Sequence, residues 1–153
     1  MSTTTINQEV KTYPNGYTIY KPTQRGSGGA VGLNLNARKN AIFVEAASQS
    51  GERQFDWDAK IIMKWGLADI GTVLSVLQGR TTQAKLFHKT ELANSSCELL
   101  ANEEGERAPY TCKISRQEEA DKSLRRVTIP ITHAEAALLE TALRTATERI
   151  MGW

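Results

Sequence analysis

Leu67-Ala68-Asp69-Ile70-Gly71-Thr72-Val73-Leu74-Ser75-Val76-Leu77-Gln78-Gly79 carries one charge, Asp69, and the reading of this stretch decides the fold. Leu67, Ile70, Val73, Leu74 and Leu77 recur at helical spacing, and Ala68 and Val76 widen the apolar face. Asp69 falls in the first turn, where a carboxylate complements the helix dipole. Gly79 is the expected stop. A helix this apolar is expected to be buried on most of its sides.

Both flanks read as strands. Ahead of the helix, Ile61, Met63 and Trp65 alternate with Lys60, Ile62 and Lys64. Behind it, Ala84, Leu86 and His88 alternate with Lys85, Phe87 and Lys89. The second set puts a ring between two ammonium groups on one strand face. Rings stack on bases while lysines meet phosphates, so the pattern suits a nucleic-acid surface. The plainer alternative is a solvated face with one partly buried Phe.

Working outward, the first half holds strands at Tyr17–Lys21, Ala30–Asn36, Ala41–Ala47 and Lys60–Trp65. Ala37-Arg38-Lys39-Asn40 is a basic hairpin turn, and Arg53, Phe55 and Trp57 share one side of an extended lead-in. Thr23–Gly29 (TQRGSGG) reads as a flexible loop; it lacks the strand and helix context of a nucleotide loop, so no cofactor is expected. The second half repeats the order, with strands at 82–89, 95–101, 109–116 and 124–131. Thr132-His133-Ala134-Glu135 then opens a helix with a capping box. Leu138, Leu139, Ala142, Leu143, Ala146 and Ile150 form its apolar face, and the small Ala142 and Ala146 permit close helix approach. The expected class is α+β: a flexible segment 1–12, then one domain 13–153 made of two β4α units, 13–79 and 80–153.

Composition excludes several classes. No run nears the roughly 18 apolar residues of a membrane span, and no apolar signal region opens the chain. A soluble protein without export is expected. The net charge is +2, split as +5 over residues 1–89 and −3 over 90–153, which is compatible with one basic face. Cys97 and Cys112 have no metal-site spacing and read as buried reduced thiols; His88 and His133 have no companion ligands. Asp56 and Asp58 flank Trp57 without a nucleophile or base nearby, so neither a metal nor an enzyme is expected.

The string Arg53-Gln54-Phe55-Asp56-Trp57, Lys60, Ala68-Asp69-Ile70-Gly71-Thr72-Val73-Leu74 and Phe87-His88 resembles the Whirly single-stranded-DNA-binding family. So do Val127-Thr128-Ile129-Pro130-Ile131-Thr132, Ala134-Glu135 and Gly152-Trp153. The likeness runs in consistent order over about residues 17 to 153. Ile19-Tyr20-Lys21-Pro22 with its Gly-Ser-Gly-Gly also looks like small Whirly-like proteins of bacteria and phages. The resemblance implies two roughly perpendicular four-stranded antiparallel sheets with two helices behind. It also implies a homotetramer joined through those helices, here Leu67, Ile70, Leu74, Leu77, Leu139, Ala142 and Ala146.

Single-stranded DNA is then the expected partner, with sequence-tolerant binding in replication, recombination, repair or transcription. The expected location is the cytoplasm or nucleoid, or a host cytoplasm. The sheet residues assigned to the strand are Tyr20, Lys21, Arg25, Asn34, Asn36, Arg38, Arg53, Phe55, Trp57, Lys60, Lys64, Lys85, Phe87, Lys89 and Lys113. Rings would stack, cations would meet phosphates, and Asn34 and Asn36 would bond base edges. The Lys-Gly-Lys-Ala-Ala-Leu motif of plant Whirly proteins is absent; Gly28-Gly29-Ala30-Val31 or the Lys21 strand stands in its place. Two alternatives remain. One is RNA binding or annealing, since trypanosome mitochondrial RNA-binding proteins share the implied fold. The other is an oligomer whose sheets bind protein.

Overall fold

Period-two alternation sets one face of nearly every strand against the core, and the strands collect into two antiparallel sheets. The computed structural model describes residues 16–153; the expected flexible segment 1–12 and the first residues of the expected domain, 13–15, lie outside the described residues. The first sheet contains β1 (Gly16–Lys21), β2 (Gly29–Asn36), β3 (Ala41–Gly51) and β5 (Ile61–Trp65). A two-residue strand, β4 (Gln54–Phe55), pairs with the far end of β3. The second sheet runs in chain order: β6 (Gln83–Lys89), β7 (Ala93–Ala101), β8 (Tyr110–Glu118) and β9 (Leu124–Ile131). Each sheet is followed by one helix, α1 (Leu67–Leu77) or α2 (His133–Met151). The twice-used β4α order expected from the sequence is therefore present.

Register decides which side chains face in. In the first sheet, the rows Tyr17–Leu33–Val44–Met63 and Ile19–Val31–Ala46–Ile61 face the core. In the second, Leu86–Cys97–Ile114–Val127 and Ala84–Leu99–Cys112–Ile129 do the same. Helix α1 packs on β5, β6 and β7, α2 packs on β1 and β3, and the helices pack on each other. The sheets meet where β9 lies against β2 and β3. Gly29 sits at that seam: a Cβ there would come within 2.5 Å of Val127 Cγ1.

Both thiols are buried and unpaired. The Cys112 thiol and then burial push the Cys97 thiol well above its usual range, so it stays a neutral apolar filler.

The caps match the sequence. Thr132 Oγ1 accepts from Glu135 N at 3.1 Å, and Glu135 Oε1 accepts from Thr132 N at 2.9 Å. Gly79, just past α1, has φ 76°, and Gly152 ends α2 at φ 77°. Burial works to raise the Glu135 carboxyl, but the Lys21 ammonium 2.8 Å away and the Thr132 N–H outweigh it. The folded-state affinity for a proton is thus lowered. The stability this contributes is present above the ordinary carboxylate range and is lost on acidification. Glu135→Gln is expected to melt with a flatter pH dependence on the acid side than the parent; identical slopes would contradict that assignment.

Four expectations need correction. Helix α1 is buried along one stripe only, Ile70, Val73, Val76 and Leu77, while Leu67, Ala68, Gly71 and Thr72 are exposed. The strands β5, β6 and β7 and helix α2 cover that stripe, and the opposite side of α1 is uncharged but open. Second, of the residues assigned to an oligomer interface, Ile70, Leu77, Leu139 and Ala146 are buried in the chain's own core. Leu67, at 39% exposure, and the partly buried Leu74 and Ala142 are the remaining ones.

Third, the segment carrying Arg53, Phe55 and Trp57 is not one extended run. Arg53 takes a left-handed turn conformation at φ 57°, Phe55 is in β4, and Trp57 opens a 3-10 turn over residues 57–59. Asp56 Oδ1 caps that turn by accepting from Ala59 N at 3.3 Å, which a short polar side chain does readily.

Fourth, the loop at residues 22–28 is tied down. Gln49 Oε1 accepts from Thr23 N and Gly28 N, both at 2.9 Å. Its Nε2 donates to Thr23 O at 3.1 Å and Gly51 O at 3.0 Å. One amide uses both donors and its acceptor oxygen to fix two chain segments.

Candidate nucleic-acid interface

Residues that alternate with the core rows form the outer faces, and the second sheet's outer face holds the densest set of binding chemistry. Across it run Lys89–Asn94–Gln117–Leu124, Phe87–Ser96–Ser115–Arg126 and Lys85–Glu98–Lys113–Thr128. Phe87 is 64% exposed, with Lys85 and Lys89 on either side of it along β6. The strand is oriented as its alternation predicts, and Phe87 has no part in the core. Ser96 Oγ and Ser115 Oγ lie 2.7 Å apart, and Lys85 Nζ is 4.0 Å from Glu98 Oε2.

The first sheet's outer face holds two ring clusters. Tyr20, 57% exposed, lies with its ring centroid 5.6 Å from that of Phe55 at an interplanar angle of 51°. Such a tilted pair keeps both rings in place while leaving the Tyr20 face open. A second row joins Asn34, Phe43 and Lys64 across β2, β3 and β5, and Lys39 Nζ sits 5.6 Å over the Phe43 ring. Phe43 and Lys39 were not among the residues assigned from sequence. Their signal is present: Ile42 and Val44 point inward, so Phe43 must point out.

Other assigned residues fall elsewhere. Lys21 is on the inner side of β1, ion-paired with Glu135, and does not join Tyr20. Asn36 Oδ1 accepts from Lys39 N at 3.3 Å and caps the 3-10 turn at residues 37–39, on which Arg38 is exposed. Lys60 Nζ is 3.3 Å from Glu45 Oε2, not paired with Asp56 or Asp58. Arg25 and Arg53 are exposed on separate turns, and Trp57 is half-buried.

The inner polar end of the second sheet binds the two sheets together. His88 Nε2 lies 3.0 Å from Asp69 Oδ2, joining β6 to the first turn of α1. Arg116 Nε donates to Glu118 Oε2 at 2.6 Å and holds that carboxyl below the usual range, with Arg125 adding to the effect. Arg125 also donates to Ala59 O and, at 3.4 Å, to Lys60 O. It thereby ties the second sheet to the 3-10 turn behind Phe55.

Among the described residues no group of three or more His, Cys, Asp or Glu side chains could hold a metal ion. No described helix is long and apolar enough to cross a membrane.

The model of the Whirly transcription factor family matches residues 24–142. The mitochondrial single-stranded DNA-binding protein WHY2 of Arabidopsis thaliana is 24% identical over 121 residues, which cover 76% of this chain and 50% of that one. The chain spans about half the length of the curated relatives it matches. The crystal structure of WHY1 from Arabidopsis thaliana superposes with a TM-score of 0.74 at 20% identity, covering 95% of this chain and 89% of that one. A guide-RNA-binding protein complex solved with its RNA gives 0.64 at 14% identity, over 94% and 95% of the two chains. The fold, the outward strand faces and the family match over most of the sequence agree: this chain belongs to the Whirly family.

Proposed function

We propose that the chain binds single-stranded DNA across the outer faces of its two sheets, without catalysis, as a homotetramer. The observation that carries this is Phe87: a ring largely in solvent, between two lysines on the outer face of β6. Exposed rings offer about 1–3 kcal/mol of stacking per base, tolerant of sequence because every base has a π face. Lys85, Lys89, Lys113 and Arg126 supply phosphate contacts that release counterions. Joining several such faces in one assembly multiplies a modest affinity, which offsets the low net charge. Work in replication, recombination, repair or transcription, in the cytoplasm or nucleoid, goes with that activity.

Lys85→Ala and Lys89→Ala test the charge half of the proposal. Each is expected to weaken binding for every sequence and flatten the log K against log salt slope by about 0.7 for each phosphate no longer neutralised. Unchanged slopes would remove those lysines from the interface.

For assembly, the uncharged exposed side of α1 is the face available to another copy, with Leu67 beside Ala68, Gly71 and Thr72. Light scattering is expected to give four times the chain mass. Among the described residues, setting aside the helix's own backbone and the two chain neighbours, no atom lies within 4 Å of a Cβ built at Gly71. In an isolated protomer Gly71→Ala should therefore stabilise by about 0.5–1 kcal/mol, since glycine is poor in helices. In a close-packed helix interface the same methyl should loosen the assembly. A monomer stabilised by Gly71→Ala would contradict the tetramer.

RNA is the second reading, favoured by the likeness to the guide-RNA complex. A contact to the 2′-hydroxyl would distinguish it.

A further inference from the structure

The outer face of the second sheet contains a carboxylate where phosphate binding alone would avoid one. Glu98 sits in the row Lys85–Glu98–Lys113, with an ammonium-bearing neighbour on each adjoining strand. It helps line a cleft of about 380 Å³ formed by Ser96, Glu98, Lys113, Ser115, Arg126 and Thr128. A cross-strand ion pair is the plain explanation. Yet Lys85 Nζ stands 4.0 Å away, at the limit of an ion pair, with the lysine mostly in solvent and Glu98 half-buried, and such partly exposed pairs contribute little to stability. A carboxylate also repels the phosphates that Lys85 and Lys113 would attract.

The cleft's chemistry fits one base better than the others. Beside Glu98, which only accepts hydrogen bonds, stand Lys113 and Arg126, which only donate. Guanine offers two adjacent donors, N1–H and the 2-amino group, next to the acceptors O6 and N7. A carboxylate meets the first pair, and Lys or Arg meets the second. Thymine offers one donor between two acceptors, and cytosine and adenine each offer a single amino group. The Ser96–Ser115 hydroxyl pair lies in the row between Phe87 and Arg126, and Glu98 and Lys113 stand in the adjoining row on the same two strands.

We propose that Glu98, Lys113 and Arg126 form a guanine-selecting subsite beside the Phe87 stacking face, so that binding is not fully sequence-tolerant. The proposal rests on the single-strand reading above. In it the strand backbone follows the flanking cations, and Glu98 reads the Watson–Crick edge of the stacked base.

Titration against oligo-dT, and against the same length with every third base replaced by guanine, by inosine or by adenine, tests it. The guanine strand is expected to bind about tenfold tighter than oligo-dT. Inosine, which lacks the 2-amino group, should lose most of that gain, and adenine should show none. Glu98→Gln should abolish the guanine preference while binding oligo-dT at least as well as the parent. Lys85→Ala, which removes the ion pair but keeps the carboxylate, should retain the preference. Equal binding of all four strands, or a preference that survives Glu98→Gln, would overturn the subsite and leave single-strand binding standing. Failure of every strand to bind would remove the single-strand reading itself.

Discussion

Gly28→Ala is expected to destabilise the protein by about 3 kcal/mol or more, because its methyl group has nowhere to go. A Cβ at Gly28 would lie 1.9 Å from Lys21 O and 2.8 Å from Gln49 Oε1. The first of these is backbone, and it cannot rotate aside. Relief requires β1 and β2 to part at their connecting loop, which also breaks the paired bonds that Gln49 makes to Thr23 and Gly28. For a chain of this size the melting temperature should fall by roughly 6–12 °C. Gln49→Ala, which frees the loop without a clash, should cost less. A Gly28→Ala protein melting within a degree or two of the parent would mean the loop does not hold this path.

Phe87→Ala is expected to separate binding from stability. With 64% of the residue in solvent, truncation opens no cavity, and melting should change by no more than a degree or two. Single-strand affinity should fall by about 1–3 kcal/mol, roughly fivefold to more than a hundredfold. The salt slope should stay nearly constant, since stacking releases no counterions. This is the reverse of the lysine variants, where the slope itself moves. A drop in slope with Phe87→Ala would mean that the ring acts by placing its lysines rather than by stacking.

What the sequence made legible follows from where one rule acted alone. In β6 the alternation is strict and both flanks are exposed, so Lys85, Phe87 and Lys89 face outward as read. The capping box at Thr132 and the glycine stop at Gly79 depend on neighbours within a few residues, and both formed. Arg125 and Arg126 show the limit of that rule. Their alternation with Val127, Ile129 and Ile131 sends them to opposite faces, one tying the sheets together and one in the cleft. That Arg125 ends on the carbonyls of residues 59 and 60 depends on how the sheets meet, which no local pattern states.

The residues whose surroundings the local pattern does not state share a different cause. Lys21 follows Tyr20 and reads as part of the same basic, aromatic patch. Strand pleat puts it on the other face, where α2 brings Glu135 to it. Asn36 reads as a base-edge contact because asparagine is polar and faces out, but its amide completes a turn first. The apolar α1 sequence fixes a helix without saying which side stays open, and Ile70 and Leu77 are taken up by the chain's own core. His88 has no ligand-like spacing in sequence; its partner Asp69 is brought to it by the packing of α1 on β6.

Competition of labelled oligo-dT against duplex DNA and against single-stranded RNA, repeated at several salt concentrations, tests the central claim most directly. Exposed rings can stack only on bases that are splayed from a helix. Single strands are therefore expected to outcompete duplex by at least about tenfold, or roughly 1.4 kcal/mol, at every salt concentration. DNA is expected to match or exceed RNA. Duplex DNA competing as well as oligo-dT would contradict the account.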